Sequence, residues 1–160
     1  PHLRTEPIRG NVETRMGKVD AGLFDATLLA EAGLTRLDMK DVTRYPISEE
    51  IIVPAPGQAA IAVQTRDEDG ELQTLLQQIH DAKTEREVTI ERSLLKRLGG
   101  GCALPLGCVC HIEGEMAELR VFYANASGTE HYLATHRIPL SDIDTLLSQL
   151  IEHLQHITTA

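Results

Sequence analysis

The chain has 160 residues, 42% of them hydrophobic and 24% charged, enough to bury a core and normally one domain or two small ones. No run approaches the roughly 18 apolar residues of a membrane span, and no basic-then-apolar segment opens the chain, so a cytoplasmic location is expected. The formal charge of −9 argues against a general nucleic-acid binder, whose affinity rests on a basic face.

In chain order, Asn11 is placed to cap a helix running to about Val19, with Gly22 as its stop. Residues 25–30 form a short apolar run that fits a buried strand, and a strand after a helix suggests an α/β layer. Residues 32–37 read as a helical turn presenting Arg36. Residues 51–53 read as a strand that stops at Pro54-Ala55-Pro56-Gly57, where two prolines and a glycine break regular structure. Residues 59–65 resume as a strand and residues 67–70 form a polar turn. Residues 71–80 are predicted helical, and Thr84 with Glu87 makes a capping-box pattern at the head of the next helix, which should end by Gly99. Residues 106–112, 118–124 and 130–138 then read as strands separated by Glu113-Gly114 and Ser127-Gly128 turns, a spacing that implies an antiparallel sheet. Residues 141–157 place Ile143, Leu146, Leu147, Leu150, Ile151 and Leu154 at helical spacing and should cover that sheet.

Charge and sulfur are unevenly spread. Residues 1–66 hold 8 Lys+Arg against 9 Asp+Glu, a net of −1, whereas residues 67–160 hold 7 against 15, a net of −8. The first part therefore has arginines available for a local anion site within an acidic molecule. Three cysteines, an odd number, do not suggest a secreted disulfide framework. Cys108 and Cys110 would share a strand face, but they lack Cys-x-x-Cys spacing and a second pair, so no metal site is predicted.

The third thiol stands apart. Gly99-Gly100-Gly101 precede Cys102 and remove every neighbouring Cβ, which lets the backbone take φ > 0 and a bulky group lie against it. Pro105 prevents the helix from continuing. A buried structural cysteine needs no such clearance, whereas one carrying a covalently attached group does. A phosphate-binding glycine loop fits poorly, because the glycines follow a helix and its positive end points away.

The wording around Cys102 resembles the cofactor-attachment motif of porphobilinogen deaminases, also called hydroxymethylbilane synthases. In that family a Glu-Arg pair opens the helix, and a Gly-Cys step followed by Pro-x-Gly closes it. Here these are Glu91-Arg92, Gly101-Cys102 and Pro105-Leu106-Gly107. Arg9-Gly10-Asn11-Val12-Glu13-Thr14-Arg15, the run from Asp25 through Leu37, and Pro54-Ala55-Pro56-Gly57-Gln58 resemble the same family in the same order. Ala59 stands where the family usually has glycine, Ala103 replaces a usual polar residue, and Leu104 and Cys108 are atypical neighbours.

The resemblance covers nearly all of this chain and about the C-terminal half of the family. It implies a piece of a longer protein, a proteolytic product or one half of a split enzyme. It further implies α/β plus α+β architecture: the end of a periplasmic-binding-protein-like α/β domain, then a small antiparallel three-stranded sheet covered by helices. Residues 1–53 would end the second α/β domain, 54–80 would cross back to the absent first domain, and 81–160 would form the α+β domain carrying the cofactor cysteine. An edge strand at 59–65 without its sheet is an association hazard.

By the same resemblance, dipyrromethane would be attached to Cys102 through a thioether and prime the polymerisation of four porphobilinogen molecules with loss of ammonia, before hydrolytic release of hydroxymethylbilane. Arg9, Arg15 and Arg36 would bind substrate and cofactor carboxylates, which suits planar guanidinium forks. Ala30, Gly57 and Gln58 would line the cofactor cleft. The general acid is expected in the N-terminal domain, so no catalytic residue is assigned here and the 160-residue chain alone is expected to be inactive. Expected partners are porphobilinogen with its oligomers and the N-terminal half of the enzyme. The alternative is a non-catalytic binding or scaffold module that keeps the fold.

Overall fold

Strict alternation in the last third of the chain builds the core. In the computed structural model, which describes residues 3–101 and 104–158, the elements are α1 (Val12–Asp20), α2 (Glu31–Arg36), α3 (Gly70–Leu76), α4 (Ala82–Arg97), β1 (Leu106–Glu113), β2 (Met116–Ala124), β3 (His131–Pro139) and α5 (Ile143–Thr158). Cys102 and Ala103 lie outside the described residues. No helix among those described is long and apolar enough to cross a membrane. Two compact units separate at Pro46 and Ile47.

In the second unit the strands form an antiparallel sheet of order β1-β2-β3, an α+β arrangement. The β1–β2 register sets Cys108 opposite Val121, Cys110 opposite Leu119 and Ile112 opposite Ala117. Successive strand side chains point to opposite faces, so these six share one face, where all are buried with Leu94 of α4 and Leu147, Leu150 and Leu154 of α5. Burying a Leu or Val side chain fully is worth about 1.5–3 kcal/mol, and this cluster is the main source of the unit's stability. The hairpin turn falls at Gly114, whose φ of +59 suits glycine. Arg97 and Asp144 pair at 2.6 Å between α4 and α5.

The start of α4 differs from the capping-box expectation. Asp81 is its N-cap and accepts from the Thr84 amide at 2.9 Å, while Glu87 is committed elsewhere. The amides at this helix start hold the Asp81 carboxyl below its ordinary pKa. Glu91-Arg92 does not open the helix either; the pair lies past its midpoint.

Three expected strands are absent because a strand needs a neighbour. Residues 25–30 are irregular. At 51–53 the chain turns, the Ile51 and Ile52 amides both donating to the Ser48 carbonyl. Residues 60–65 run without a ladder partner, leaving Ile61 88% and Val63 58% exposed.

In the first unit α1 behaves as the sequence requires. Asn11 Oδ1 accepts from the Thr14 amide at 2.8 Å. The Gly22 and Leu23 amides close the other end on the Val19 and Lys18 carbonyls, with Gly22 at φ +70. Leu34 is the one fully buried apolar side chain among this unit's described residues, while Leu23, Leu28, Leu37 and Tyr45 are exposed. Such a unit has little core of its own.

Two predictions follow from the second unit's packing. A Cβ at Gly107 would lie 2.6 Å from the Val53 carbonyl oxygen and 2.9 Å from the Val53 Cβ, so Gly107→Ala should cost about 1–3 kcal/mol, read as a lower denaturant midpoint. Burial pushes the Cys108 thiol far up and the Cys110 thiol up to about 12. The thiolate is the reactive form, so iodoacetamide at pH 8 should leave both unlabelled in the folded protein and label both after unfolding; modification of either in the native state contradicts this placement.

Candidate functional site

The approach to Cys102 is set by how α4 ends. Leu98 is the C-cap, Gly99 takes φ +70, and the Gly99 and Gly100 amides donate to the Lys96 and Leu95 carbonyls at 3.1 and 3.2 Å. This is a Schellman closure, and it requires the left-handed residue that glycine supplies most readily. The three glycines serve different ends. A Cβ at Gly100 would lie 2.6 Å from Leu104 Cδ2, so this position makes room for the leucine and not for an external group. At Gly99 and Gly101 a Cβ would meet open space.

An open groove of about 650 Å³ runs along this end of α4, lined by Thr89, Arg92, Ser93, Lys96, Gly99 and Gly100 among others. Thr89, Arg92, Ser93 and Lys96 follow the i, i+3, i+4, i+7 spacing of one helix face. Two of them are cations, which favours anionic occupants. The sequence reading missed Arg92 and Lys96 as a pair; the signal was that spacing, read against the glycines that follow.

The opposite face of α4 holds two carboxylates against the sheet. Glu91 is only 6% exposed. Its Oε1 accepts from the Cys110 amide at 2.9 Å and its Oε2 from the Gly57 amide at 2.7 Å. One turn earlier, Glu87 Oε1 accepts from the Ile112 amide at 2.7 Å. The Cys108 amide donates to the Pro54 carbonyl at 2.8 Å. The outward amides of edge strand β1 are thus satisfied without a fourth strand, which keeps that edge from pairing with another chain. Burial raises the Glu91 pKa, opposed by its bonds to Gly57 and Cys110 and reinforced by neighbouring Glu87.

Gly57 and Gln58 sit in the tight turn this clasp holds. Gly57 has φ +73, and the Gln58 amide donates to the Ala55 carbonyl at 3.0 Å. Ala59 follows at φ +67, a left-handed conformation that costs a residue with a Cβ roughly 1–2 kcal/mol. Glycine would adopt it freely.

The expected carboxylate-binding arginines lie in the first unit. Gly10 has φ +124, and a Cβ there would lie 2.6 Å from the Thr14 side chain, so glycine is required at this bend. Around it the Arg15 Nε donates to the Gly10 carbonyl at 2.8 Å and Lys18 Nζ to the Arg9 carbonyl at 3.0 Å. Arg9 and Arg15 are thereby gathered at the head of α1. Arg36 closes α2 and is exposed. Ala30 is the N-cap of α2 with extended backbone, and its carbonyl accepts from Gly33. Thr27, three residues earlier, has a buried hydroxyl with no hydrogen-bond partner among the described residues.

Family comparison divides the chain further along than the boundary between the two compact units at Pro46 and Ile47. Residues 1–74 match the model described as porphobilinogen deaminase, dipyromethane cofactor binding domain, and residues 85–145 match porphobilinogen deaminase, C-terminal domain. Arg9, Arg15, Ala30, Arg36, Gly57 and Gln58 all fall within the first match, and Cys102 falls within the second. With both models matched in series over residues 1–145, this chain belongs to the porphobilinogen deaminase family.

Proposed function

We propose that this chain is the cofactor-bearing part of a hydroxymethylbilane synthase, with Cys102 as the thioether attachment point. The observation that carries the reading is the open, cation-lined groove on α4 that ends at Gly99 and Gly100, immediately before the Gly101-Cys102 step. When bound, dipyrromethane supplies the primer to which pyrrole units add. The chain's own residues hold and orient it. Arg9, Arg15 and Arg36 offer guanidinium forks to acetate and propionate side chains. Ala30, Gly57 and Gln58 present backbone and amide groups along the cleft. The open space at Gly101 fits such an occupant.

In this reading residues 1–53 end a periplasmic-binding-protein-like α/β domain, residues 54–80 cross to a first domain, and residues 81–160 form the α+β domain. The exposed Ile61 and Val63 and the thin core of the first unit support further polypeptide packing on both segments. That polypeptide supplies the general acid, which must sit within hydrogen-bond reach of the leaving amine. The isolated chain is therefore inactive.

A second reading, a binding module that keeps the fold without the chemistry, is favoured by one observation. Ala59 holds a left-handed turn beside the cleft where the family has glycine.

Two outcomes test these readings. Intact-mass measurement of the protein purified together with an N-terminal half from the same source should show an excess of two pyrrole units and a colour with Ehrlich's aldehyde reagent, both lost in Cys102→Ala; an unmodified Cys102 in that complex rejects the attachment. Mixing the two halves should also restore conversion of porphobilinogen, which neither performs alone. Association without turnover would favour the module.

A further inference from the structure

We propose that Glu91 is a positioning residue that fastens the Pro54–Gln58 turn to the helix leading to Cys102, so that one carboxylate sets the spacing between two parts of the cofactor cleft. This rests on the reading of Gly57 and Gln58 as cleft residues. The geometry is specific. Both oxygens of Glu91 are used, one on the Cys110 amide inside the sheet and one on the Gly57 amide in the turn. Among the described residues the turn's other backbone bonds are internal, Gln58 to Ala55 and Ala60 to Gly57. Pro54 is anchored separately through the Cys108 amide. The clasp joins residues 34 apart in the chain, and Leu94, on the same face of α4 one turn later, is fully buried, so the helix end of the link cannot drift.

Holding two amides at once requires an ionised group. A carboxylate accepts through both oxygens, whereas a protonated carboxyl has one good acceptor and one donor. Protonation therefore releases one amide. The Cys110 amide is buried and the Gly57 amide is half-exposed, so water can replace the carboxyl at Gly57 far more readily. The groups facing Glu91 are Glu87 on α4, the Cys108 and Cys110 thiols and His111 on β1, while Pro54, Ala55, Pro56 and Gly57 bring no titratable side chain. Glu87 raises the Glu91 pKa and His111 lowers it, with burial as the largest cause of its upward shift.

Amide NMR of the chain tests the link without requiring any attached group. The Gly57 and Cys110 amide resonances should titrate with one common midpoint above the ordinary carboxylate range. In Glu91→Gln that shared titration should disappear, and Gly57 amide exchange should quicken by about tenfold or more, the loss expected for a hydrogen bond to a charged acceptor. Val121 in β2 serves as the fold control and should exchange at its wild-type rate. Glu87→Gln should change Ile112 exchange and leave the Gly57–Cys110 pair titrating together. If Glu91→Gln does not fold, the wild-type titration decides alone. Separate midpoints for Gly57 and Cys110, or a Gly57 amide indifferent to Glu91, overturn the proposal. Either result leaves attachment at Cys102 untouched, because that is read by mass.

Discussion

The second unit depends on closing one strand edge with side chains in place of a strand. A two-residue step along a β-strand is about 6.6–6.8 Å, and a four-residue step along a helix is about 6.0 Å. Carboxylates at positions 87 and 91 of α4 can therefore reach the alternate outward amides at 112 and 110 of β1. Hydrophobic contact between α4 and the sheet, through Leu94 and the Cys108, Cys110 and Ile112 face, fixes the separation at which these bonds form. Each bond to a charged acceptor is worth about 1.5–3 kcal/mol, offset by the cost of burying the carboxylate. The net gain is smaller than the gross one, but the arrangement fixes α4 in register against β1. The rotation of α4 in turn decides which residues line the groove on its far side.

That rotation sorts the helix by function. Glu87, Glu91 and Leu94 face the sheet, while Arg92 and Lys96 face solvent and border the groove. A change that rolled α4 by one residue would exchange a buried acid for an exposed base. The consecutive Glu91-Arg92 pair is thus two jobs on adjacent positions: the acid secures the helix and the base borders the opening. The resemblance to the attachment motif pointed to the pair, and its place past the middle of the helix puts the acid against the sheet and the base beside the groove.

How much of this was legible in the sequence depends on whether the determining contacts were local. The β-hairpins, Gly114 and Gly128 turns and α5 were readable, since alternation, turn chemistry and helical spacing all act within a few residues. The Asn11 cap and the Gly22 stop were readable for the same reason. Residues 25–30, 51–53 and 59–65 have strand composition yet form no ladder, because pairing depends on a distant neighbour that composition does not report. Thr84 and Glu87 matched a capping pattern, but the Glu87 carboxylate serves a strand 25 residues away and Asp81 caps instead. At the candidate site, Cys102 and the arginines were singled out by motif. The Glu91 clasp and the Leu104 contact at Gly100 were invisible, because both are decided by tertiary approach.

The two units also differ in how far their own residues explain their shape. In the second, a shared core and a satisfied edge account for the backbone. In the first, local devices dominate: a capped helix, a glycine bend at position 10 and basic side chains turned back onto carbonyls. Such devices fix the chain over a few residues but bury little apolar area, and Leu34 is the one buried apolar side chain among the unit's described residues. The proposed binding of carboxylates by Arg9, Arg15 and Arg36 would gain from any further packing on that unit, since forks that must first be ordered give up binding energy to order themselves.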